Sequence, residues 1–365
     1  MNADVEETMP LLTVGIPTYN RAATLRRCLE RLLTDLEPHA ARIEVIVSDN
    51  ASPDDTGAVL REAGTLWQGR VRLRCTRQEQ NIGVSRNVVA LFHAARGRYF
   101  MFLGDDDCLS PQALPGLLSI LDSAEAPVAV IQTRWNGKTR VPGRRDATWT
   151  DALALIYDYG NAWAGVVDVA AACRAVDSRG LRDRVESIVW PQTVMGFLAM
   201  HDSSPRPVCL QDMELGYPLV PGLNIHSKAY WIRSLGDLLQ AATIIDAATG
   251  GHHARRALCS PLNRGFSGHL RSIAWESLIE DGGPSTHALR TQLRRDFGIR
   301  GRLCAVTLAV TDAPVLLRLL ARTAALLRRG MAPWRFDERL AAQQRERSAD
   351  IAARARSGRR FGDWF

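Results

Sequence analysis

The sequence is poor in lysine and has no long apolar run. Lys138 and Lys228 are the only lysines among 46 basic residues in 365. No uninterrupted apolar stretch reaches the length of a transmembrane helix. The start, MNADVEETMP, lacks the basic and apolar segments of a secretory signal. We therefore expect a cytoplasmic protein, with contact at the inner face of a membrane left open.

Cysteine is also too sparse to build a framework. The seven cysteines are odd in number, widely spaced and contain no C-x-x-C pair. This pattern excludes a disulfide-stapled module and a zinc finger, and it predicts buried or incidental thiols in a reducing compartment. The chain, with 46% apolar and 23% charged residues, has an ordinary globular composition and length for one large domain with an appendage, or for two domains.

The positive charge is concentrated near the C-terminal end. The net charge is +7, but residues 300–365 alone carry 14 arginines against six acids, which leaves residues 1–299 at −1. A protein that binds nucleic acid with its main fold would carry its basic surface there. The sequence therefore predicts no nucleic-acid partner.

Four apolar, β-rich runs in the first third each lead into a helical pattern. They are LLTVGI (11–16), IEVIVSD (43–49), VRLRCT (71–76) and RYFMFL (98–103), and PVAVIQT (127–133) supplies a fifth strand. This alternation predicts an α/β fold with a mostly parallel sheet flanked by helices. Residues 134–149 are polar and predict a loop, and the C-terminal third predicts mainly helices.

Polar residues follow each predicted strand, where ligands of parallel sheets bind. After the fourth strand come Asp105, Asp106 and Asp107. Three adjacent carboxylates repel one another unless a cation neutralises them, and hard divalent ions prefer such oxygens together with phosphates. The triplet predicts a metal site for a diphosphate; capping of the next helix is the alternative.

No glycine-rich phosphate loop follows any predicted strand. A nucleotide that binds here would therefore be held by a metal and a tyrosine. Tyr19 either stacks on a base or belongs to the core. Asp49 either contacts the nucleotide or forms a turn.

In this order, four segments resemble the family 2 glycosyltransferases of the GT-A fold. They are LLTVGIPTYNRAATLRRCLERLL, IEVIVSDNASPDDT, NIGVSRNVVALFHAARGRYFMFLGDDD and CLSPQALPGLLSIL, and they cover residues 10–133. The resemblance implies a GT-A catalytic domain over residues 1–225 and a helical C-terminal region over 226–365.

The resemblance also assigns roles to individual residues. Nucleotide-sugar contacts fall on Pro17, Tyr19, Asp49, Asn81, Arg86, Asp105 and Asp106. Metal contacts, to Mn²⁺ or Mg²⁺, fall on Asp106, Asp107 and the late His226, which is otherwise a structural hydrogen-bonder. Gly104 stands where many members have the first aspartate of D-x-D-D.

The implied reaction transfers a sugar from a UDP- or dTDP-sugar to an acceptor hydroxyl or amine, with inversion at the anomeric carbon. The acidic pair that usually supplies the general base is absent. Glu186 is our first candidate for this base and Asp183 the second; the alternative is that both serve a helix N-terminus.

The acceptor is expected to be sugar-containing or lipid-linked. The basic amphipathic segment 314–330 has two open interpretations: contact with an anionic membrane, or packing on the catalytic domain or on a second subunit as a homo-oligomer. Two other functions remain open. A sugar-phosphate nucleotidyltransferase would normally carry a glycine-rich first loop, which PTYNR replaces. A catalytically inactive glycan-binding or scaffold protein is the second.

Overall fold

The computed structural model describes residues 9–135, 138–139, 141–156, 165–218, 228–259, 264–279, 284–329 and 337–345. The chain divides into two compact units. The first comprises Met1–Leu223 and Ile244–Ala254, and the second comprises Asn224–Thr243 and Arg255–Phe365. The functional division predicted at residue 225 stays a prediction.

The first unit is built on an eight-stranded sheet with the order β3-β2-β1-β4-β10-β6-β11-β9. Strands β3, β2, β1 and β4 are parallel, β10 is antiparallel to both β4 and β6, and β11 is parallel to β6. The strands are β1 (Leu12–Thr18), β2 (Ile43–Asp49), β3 (Arg72–Arg77), β4 (Tyr99–Phe102), β5 (Asp107–Leu109), β6 (Ala129–Gln132), β7 (Arg134–Trp135), β8 (Lys138–Thr139), β9 (Arg144–Ala147), β10 (Gly165–Asp168), β11 (Val208–Gln211) and β12 (Gly216–Pro218).

The helices follow the apolar periodicity of the sequence. They are α1 (Ala22–Leu36), α2 (Thr56–Trp67), α3 (Val84–Ala94), α4 (Leu114–Leu121), α5 (Trp149–Ala152), α6 (Val169–Asp177), α7 (Arg182–Glu186), α8 (Pro191–Asp202), α9 (Lys228–Thr249), α10 (His253–Leu258), α11 (Arg264–Ile279), α12 (His287–Asp296), α13 (Gly298–Thr311) and α14 (Pro314–Arg329). Short 3₁₀ turns follow α1 and α5, and residues 337–345 are helical.

Helices cover both faces of the sheet. Tyr99 and Met101 of β4 belong to the core cluster formed with α1, α2 and α4. Phe100 between them instead contacts Phe92 of α3, with ring centroids 4.0 Å apart. Since side chains alternate along a strand, α3 covers the opposite face. Every residue of β1 and β2 is buried, as expected for strands covered on both sides. The predicted α/β class is confirmed.

The expected loop after residue 133 is wrong in part. Residues 134–135 and 138–139 form a two-stranded ribbon, and Arg144–Ala147 forms the edge strand β9. The sequence does not reveal β9 because most of its side chains are exposed, and an edge strand needs no continuous apolar run.

All the regular secondary structure in the described residues of the second unit is helical. Leu278, Leu317 and Leu340 form a small buried cluster against which Val310 and Ala321 pack. The prediction of a mainly helical C-terminal region is confirmed. No helix among the described residues is long and apolar enough to cross a membrane.

Candidate functional site

The acidic turn follows β4 at the edge where the parallel strands end. Leu103 donates its N–H to the carbonyl of Gly15, and the Asp107 N–H closes the turn by donating to the Gly104 carbonyl at 3.1 Å. Asp107 then begins β5, which pairs with β12. The helix-capping alternative is not what this region forms: α4 begins at Leu114, and its N-cap has no side-chain hydrogen bond.

Arg21 joins two carboxylates of this turn through one nitrogen. Its Nη1 lies 3.0 Å from Oδ1 of Asp105 and 2.8 Å from Oδ2 of Asp106. The other oxygen of Asp105 accepts a hydrogen bond from Thr18 Oγ1 at 2.7 Å. A single positively charged group can therefore bridge both carboxylates at the end of β1.

The acidic turn is electrostatically strained. Burial raises the pKa of Asp105 to about 6, with Arg21 opposing and Asp106 adding to the shift. Burial also raises the pKa of Asp107 to about 8, assisted by the negative charges of Asp106 and Asp105. Both shifts mean that additional positive charge would stabilise the ionised turn.

Gly104 leaves room for the carboxylate of Asp107. A Cβ atom at position 104 would lie 2.5 Å from Asp107 Oδ2 and 3.0 Å from Asp106 Oδ1. An aspartate in this position would therefore have to displace its neighbours. This explains in local terms why the turn carries glycine where a D-x-D-D motif begins.

Asp49 is fully buried at the end of β2. Its Oδ1 accepts the Ser52 N–H at 2.9 Å, and its Oδ2 is paired with Arg77 of β3. Asp49 and Arg77 are direct neighbours in the register of the two strands. The turn that the Asp-Asn sequence predicted is therefore present. Arg77, the partner of Asp49, has a side chain that is about half exposed to solvent.

The backbone after β1 and β2 is held in an unusual conformation. Asn20 and Ala51 have φ angles of 54° and 63°, a region that L-residues other than asparagine and aspartate rarely adopt. The two loops are joined, since Asn20 donates its N–H to Ser52 Oγ at 2.8 Å. At Ala51 this conformation is strained, and such strain is held in place by surrounding contacts and is common at functional sites.

Asn50 links these loops to the NIGVSRN segment. Its Nδ2 donates to Asn81 Oδ1 at 2.8 Å, and its Oδ1 accepts the Ile82 N–H at 2.9 Å. Pro17 is buried within β1 and Tyr19, just beyond it, is half-buried. The structure thus gathers the predicted residues Pro17, Tyr19, Asp49, Asn81, Asp105, Asp106 and Asp107 at the carboxyl edge of neighbouring strands.

Arg86 and Glu186 meet across two helices. Arg86 lies in the first turn of α3, and its Nε is 3.5 Å from Oε2 of Glu186, the last residue of α7. Arg182 contacts the other oxygen of Glu186 at 2.9 Å. Glu186 is half-buried, whereas Asp183 is exposed on α7. Neither carboxylate caps α8, because Trp190 is its N-cap and has no side-chain cap hydrogen bond.

The predicted metal ligands can be compared with the structure only in part, because His226 lies outside the described residues. Among the described residues, no group of three or more histidine, cysteine, aspartate or glutamate side chains is arranged to hold a metal ion. Asp105 and Asp106 nevertheless fit Mg²⁺ or Mn²⁺ as a pair, because such ions are commonly bound by one or two carboxylates together with substrate phosphates.

Three residues of the candidate site were not predicted from the sequence. Thr18, Arg21 and Arg77 contact the predicted aspartates directly. The position of Arg21, three residues after the end of β1, was a usable signal. The other two become recognisable only when the order and register of the strands are known.

The architecture is that of the GT-A fold. It is similar to the structure of TarS residues 1–349 from S. aureus in complex with UDP-GlcNAc, with a TM-score of 0.54 and 16% identity over 88% of this chain and 92% of that chain. At this identity the likeness concerns the fold alone.

The sequence comparisons match one segment of the chain to a known family. Residues 13–180 match the model of Glycosyl transferase family 2, so this segment is similar to the family 2 glycosyltransferases. It is 32% identical to the succinoglycan biosynthesis protein ExoO of Rhizobium meliloti, over 36% of this chain and 35% of that protein. It is 33% identical to the abequosyltransferase RfbV of Salmonella typhimurium, over 31% and 33%. The matches thus span about a third of these relatives.

Proposed function

We propose that this protein is a metal-dependent, inverting glycosyltransferase that uses a nucleoside diphosphate sugar, with UDP- and dTDP-sugars as the favoured donors. The observation that carries the proposal is the bridging of Asp105 and Asp106 by one cationic nitrogen of Arg21. This contact supports a cation-binding site at Asp105 and Asp106, next to the loops after β1 and β2. The family match of residues 13–180 supports the type of reaction.

In this proposal, Asp105 and Asp106 would hold a divalent ion when the donor diphosphate is bound. Bound there, the ion would offset negative charge that develops on the departing diphosphate. Thr18 orients Asp105 by its hydrogen bond, and Arg21 neutralises the turn before the donor binds. The half-exposed Arg77, held by the buried Asp49, would face the nucleoside, and Tyr19 follows Thr18, the register neighbour of Asp49.

Glu186 is proposed as the general base. It would accept the proton of the acceptor nucleophile as the nucleophile attacks the anomeric carbon opposite the diphosphate, which inverts the configuration. Its ion pairs with Arg86 and Arg182 support this role by holding the carboxylate in one orientation. Asp183 is the second candidate. A glycan or a lipid-linked saccharide is the proposed acceptor.

A thermal-shift screen of nucleoside diphosphate sugars with Mn²⁺ tests the donor class. A ligand that binds only the native state raises the melting temperature, and at a given ligand concentration the rise is larger for a smaller dissociation constant. We expect a UDP- or dTDP-sugar to give the largest rise, and EDTA to remove it. A chain that binds free glycans but no such donor would instead be a glycan-binding protein.

Release of nucleoside diphosphate distinguishes a glycosyltransferase from a nucleotidyltransferase. A glycosyltransferase releases UDP or dTDP when it transfers the sugar, slowly if the sugar goes to water and faster if it goes to an acceptor. A nucleotidyltransferase would instead form a nucleotide sugar from a nucleoside triphosphate and a sugar phosphate. Formation of that product would reject our proposal.

A further inference from the structure

Helix α13 of the second unit has two apolar sides. Gly301, Ala305, Leu308 and Thr311 are buried on one side. On the other side, Ile299, Leu303 and Val306 are 77%, 66% and 60% exposed. Their spacing of four and three residues aligns them along one stripe, about half a turn from the buried positions. Core packing in the described residues therefore accounts for only one of the two sides.

Helix α14 continues this exposed apolar character. Leu317 is buried in the cluster with Leu278, whereas Leu316, Leu319 and Leu320 are about half exposed. Six exposed apolar side chains on two consecutive helices that pack together exceed the single scattered ones that are normal on a soluble monomer, and they indicate an interaction site. We call Ile299, Leu303, Val306, Leu316, Leu319 and Leu320 the apolar docking surface.

The charged residues within these two helices have one sign. The sequences of α13 and α14 contain six arginines and no aspartate or glutamate. Arg300 and Arg302 are exposed and lie on either side of the α13 stripe, about 60° and about 40° from the nearest stripe residue on their respective sides. Arg318 is exposed on α14. The surface is therefore apolar along its centre and cationic at its borders.

The one acidic residue between the two helices is directed inward. Asp312 accepts hydrogen bonds from Thr286 at 2.8 Å and Ser285 at 3.1 Å, and it pairs with Arg290 at 3.2 Å. Burial alone would raise the pKa of Asp312, but these hydrogen bonds and the charge of Lys228 outweigh it and lower the pKa. Asp312 thus stabilises the unit internally and does not neutralise the borders of the surface.

We infer that the apolar docking surface binds the interface of an anionic lipid bilayer. Leucine, isoleucine and valine enter the boundary between headgroups and acyl chains, and the flanking arginines pair with anionic headgroups. A symmetric pair of copies using the same face would bring cationic borders together, which opposes association. The inference depends on this surface alone and not on the proposed sugar-transfer chemistry.

Vesicle co-sedimentation of the full chain tests the inference. The probes are phosphatidylcholine vesicles with and without 30 mol% phosphatidylglycerol, a composition of about one anionic lipid in three. The test variant replaces Ile299, Leu303 and Val306 with alanine, which favours helix more than the native residues. The matched control is Leu66→Ala, which truncates one exposed leucine on α2 of the first unit.

We expect the wild type and Leu66→Ala to bind the anionic vesicles, and the triple-alanine variant to bind at least about tenfold more weakly. The variant Arg300→Gln/Arg302→Gln should lose the preference for phosphatidylglycerol and the sensitivity to salt. It also serves as the deciding variant if circular dichroism shows that the triple-alanine protein is misfolded.

Three results would overturn the inference. The first is wild-type protein that fails to sediment with anionic vesicles. The second is a folded triple-alanine variant, or a folded Arg300→Gln/Arg302→Gln variant, that binds these vesicles as tightly as wild type. The third is a dimer, seen by light scattering without lipid, that the triple-alanine substitution dissociates, since this would assign the surface to self-association.

Discussion

Arg86 pairs with Glu186 at 3.5 Å and thereby joins the helix after β3 to the segment that precedes α8. The NIGVSRN segment and the candidate base are separated by about a hundred residues in the chain. Their pairing gives the proposed base a defined place beside the helix that begins at the proposed nucleotide-binding edge.

Glu186→Gln is expected to abolish transfer while donor binding persists. Glutamine keeps the size of the side chain but cannot accept the proton, so turnover should fall by about 10²–10⁴-fold. The dissociation constant for the donor, measured by titration calorimetry, should stay within about threefold, because the amide lies outside the proposed diphosphate contacts. Asp183→Asn, at an exposed position on the same helix, is the matched control. An active Glu186→Gln with an inactive Asp183→Asn would move the base to Asp183.

Gly104→Ala is expected to destabilise the acidic turn. The new Cβ would approach Asp107 Oδ2 to 2.5 Å, which a buried carboxylate can relieve only by moving, at a cost of about 1–3 kcal/mol. The control is Gly64→Ala in α2, where no atom lies within 4 Å of the added methyl group. That substitution should stabilise the protein by about 0.5–1 kcal/mol. Chemical denaturation measures both, and equal effects would contradict the tight packing at Gly104.

Asp107 should make the metal-free protein less stable as pH rises. Its folded pKa of about 8 lies above the ordinary value, so the native state holds more protons than the unfolded chain between about pH 4 and pH 8. The free energy of unfolding therefore falls with rising pH in this window.

Asp107→Asn removes that titration. In EDTA, its stability relative to wild type should rise by more than about 1 kcal/mol from pH 4 to pH 8, measured by denaturant unfolding. Glu125→Gln, at an exposed position, should show no such change. A stability difference between Asp107→Asn and wild type that is independent of pH would show that Asp107 is ionised normally.

The elements that sequence periodicity predicts best are those whose pattern is local. β1, β2 and their helices are recognised because continuous apolar runs and helical spacing occur within single segments. β10 and β11 are only four residues long. β11 is stabilised by pairing with β6, about eighty residues earlier in the chain, and no local pattern reports such a partner.

The candidate site shows the same division. The aspartates at 49 and 105–107 stand out because they follow apolar strands. The contact between Asp49 and Arg77 depends on the register of β2 against β3, and that between Thr18 and Asp105 depends on β1 lying next to β4. Those relationships arise from strand order, which the sequence does not state.

The metal dependence of nucleotide binding tests the central claim most directly. UDP and dTDP should be titrated calorimetrically into wild type and Asp106→Asn, each with Mn²⁺ and with EDTA. We predict that at least one nucleotide binds wild type at least about tenfold more tightly with Mn²⁺, and that Asp106→Asn, while folded, loses this difference. Equal wild-type affinity in EDTA, or a metal response retained by Asp106→Asn, would contradict the account.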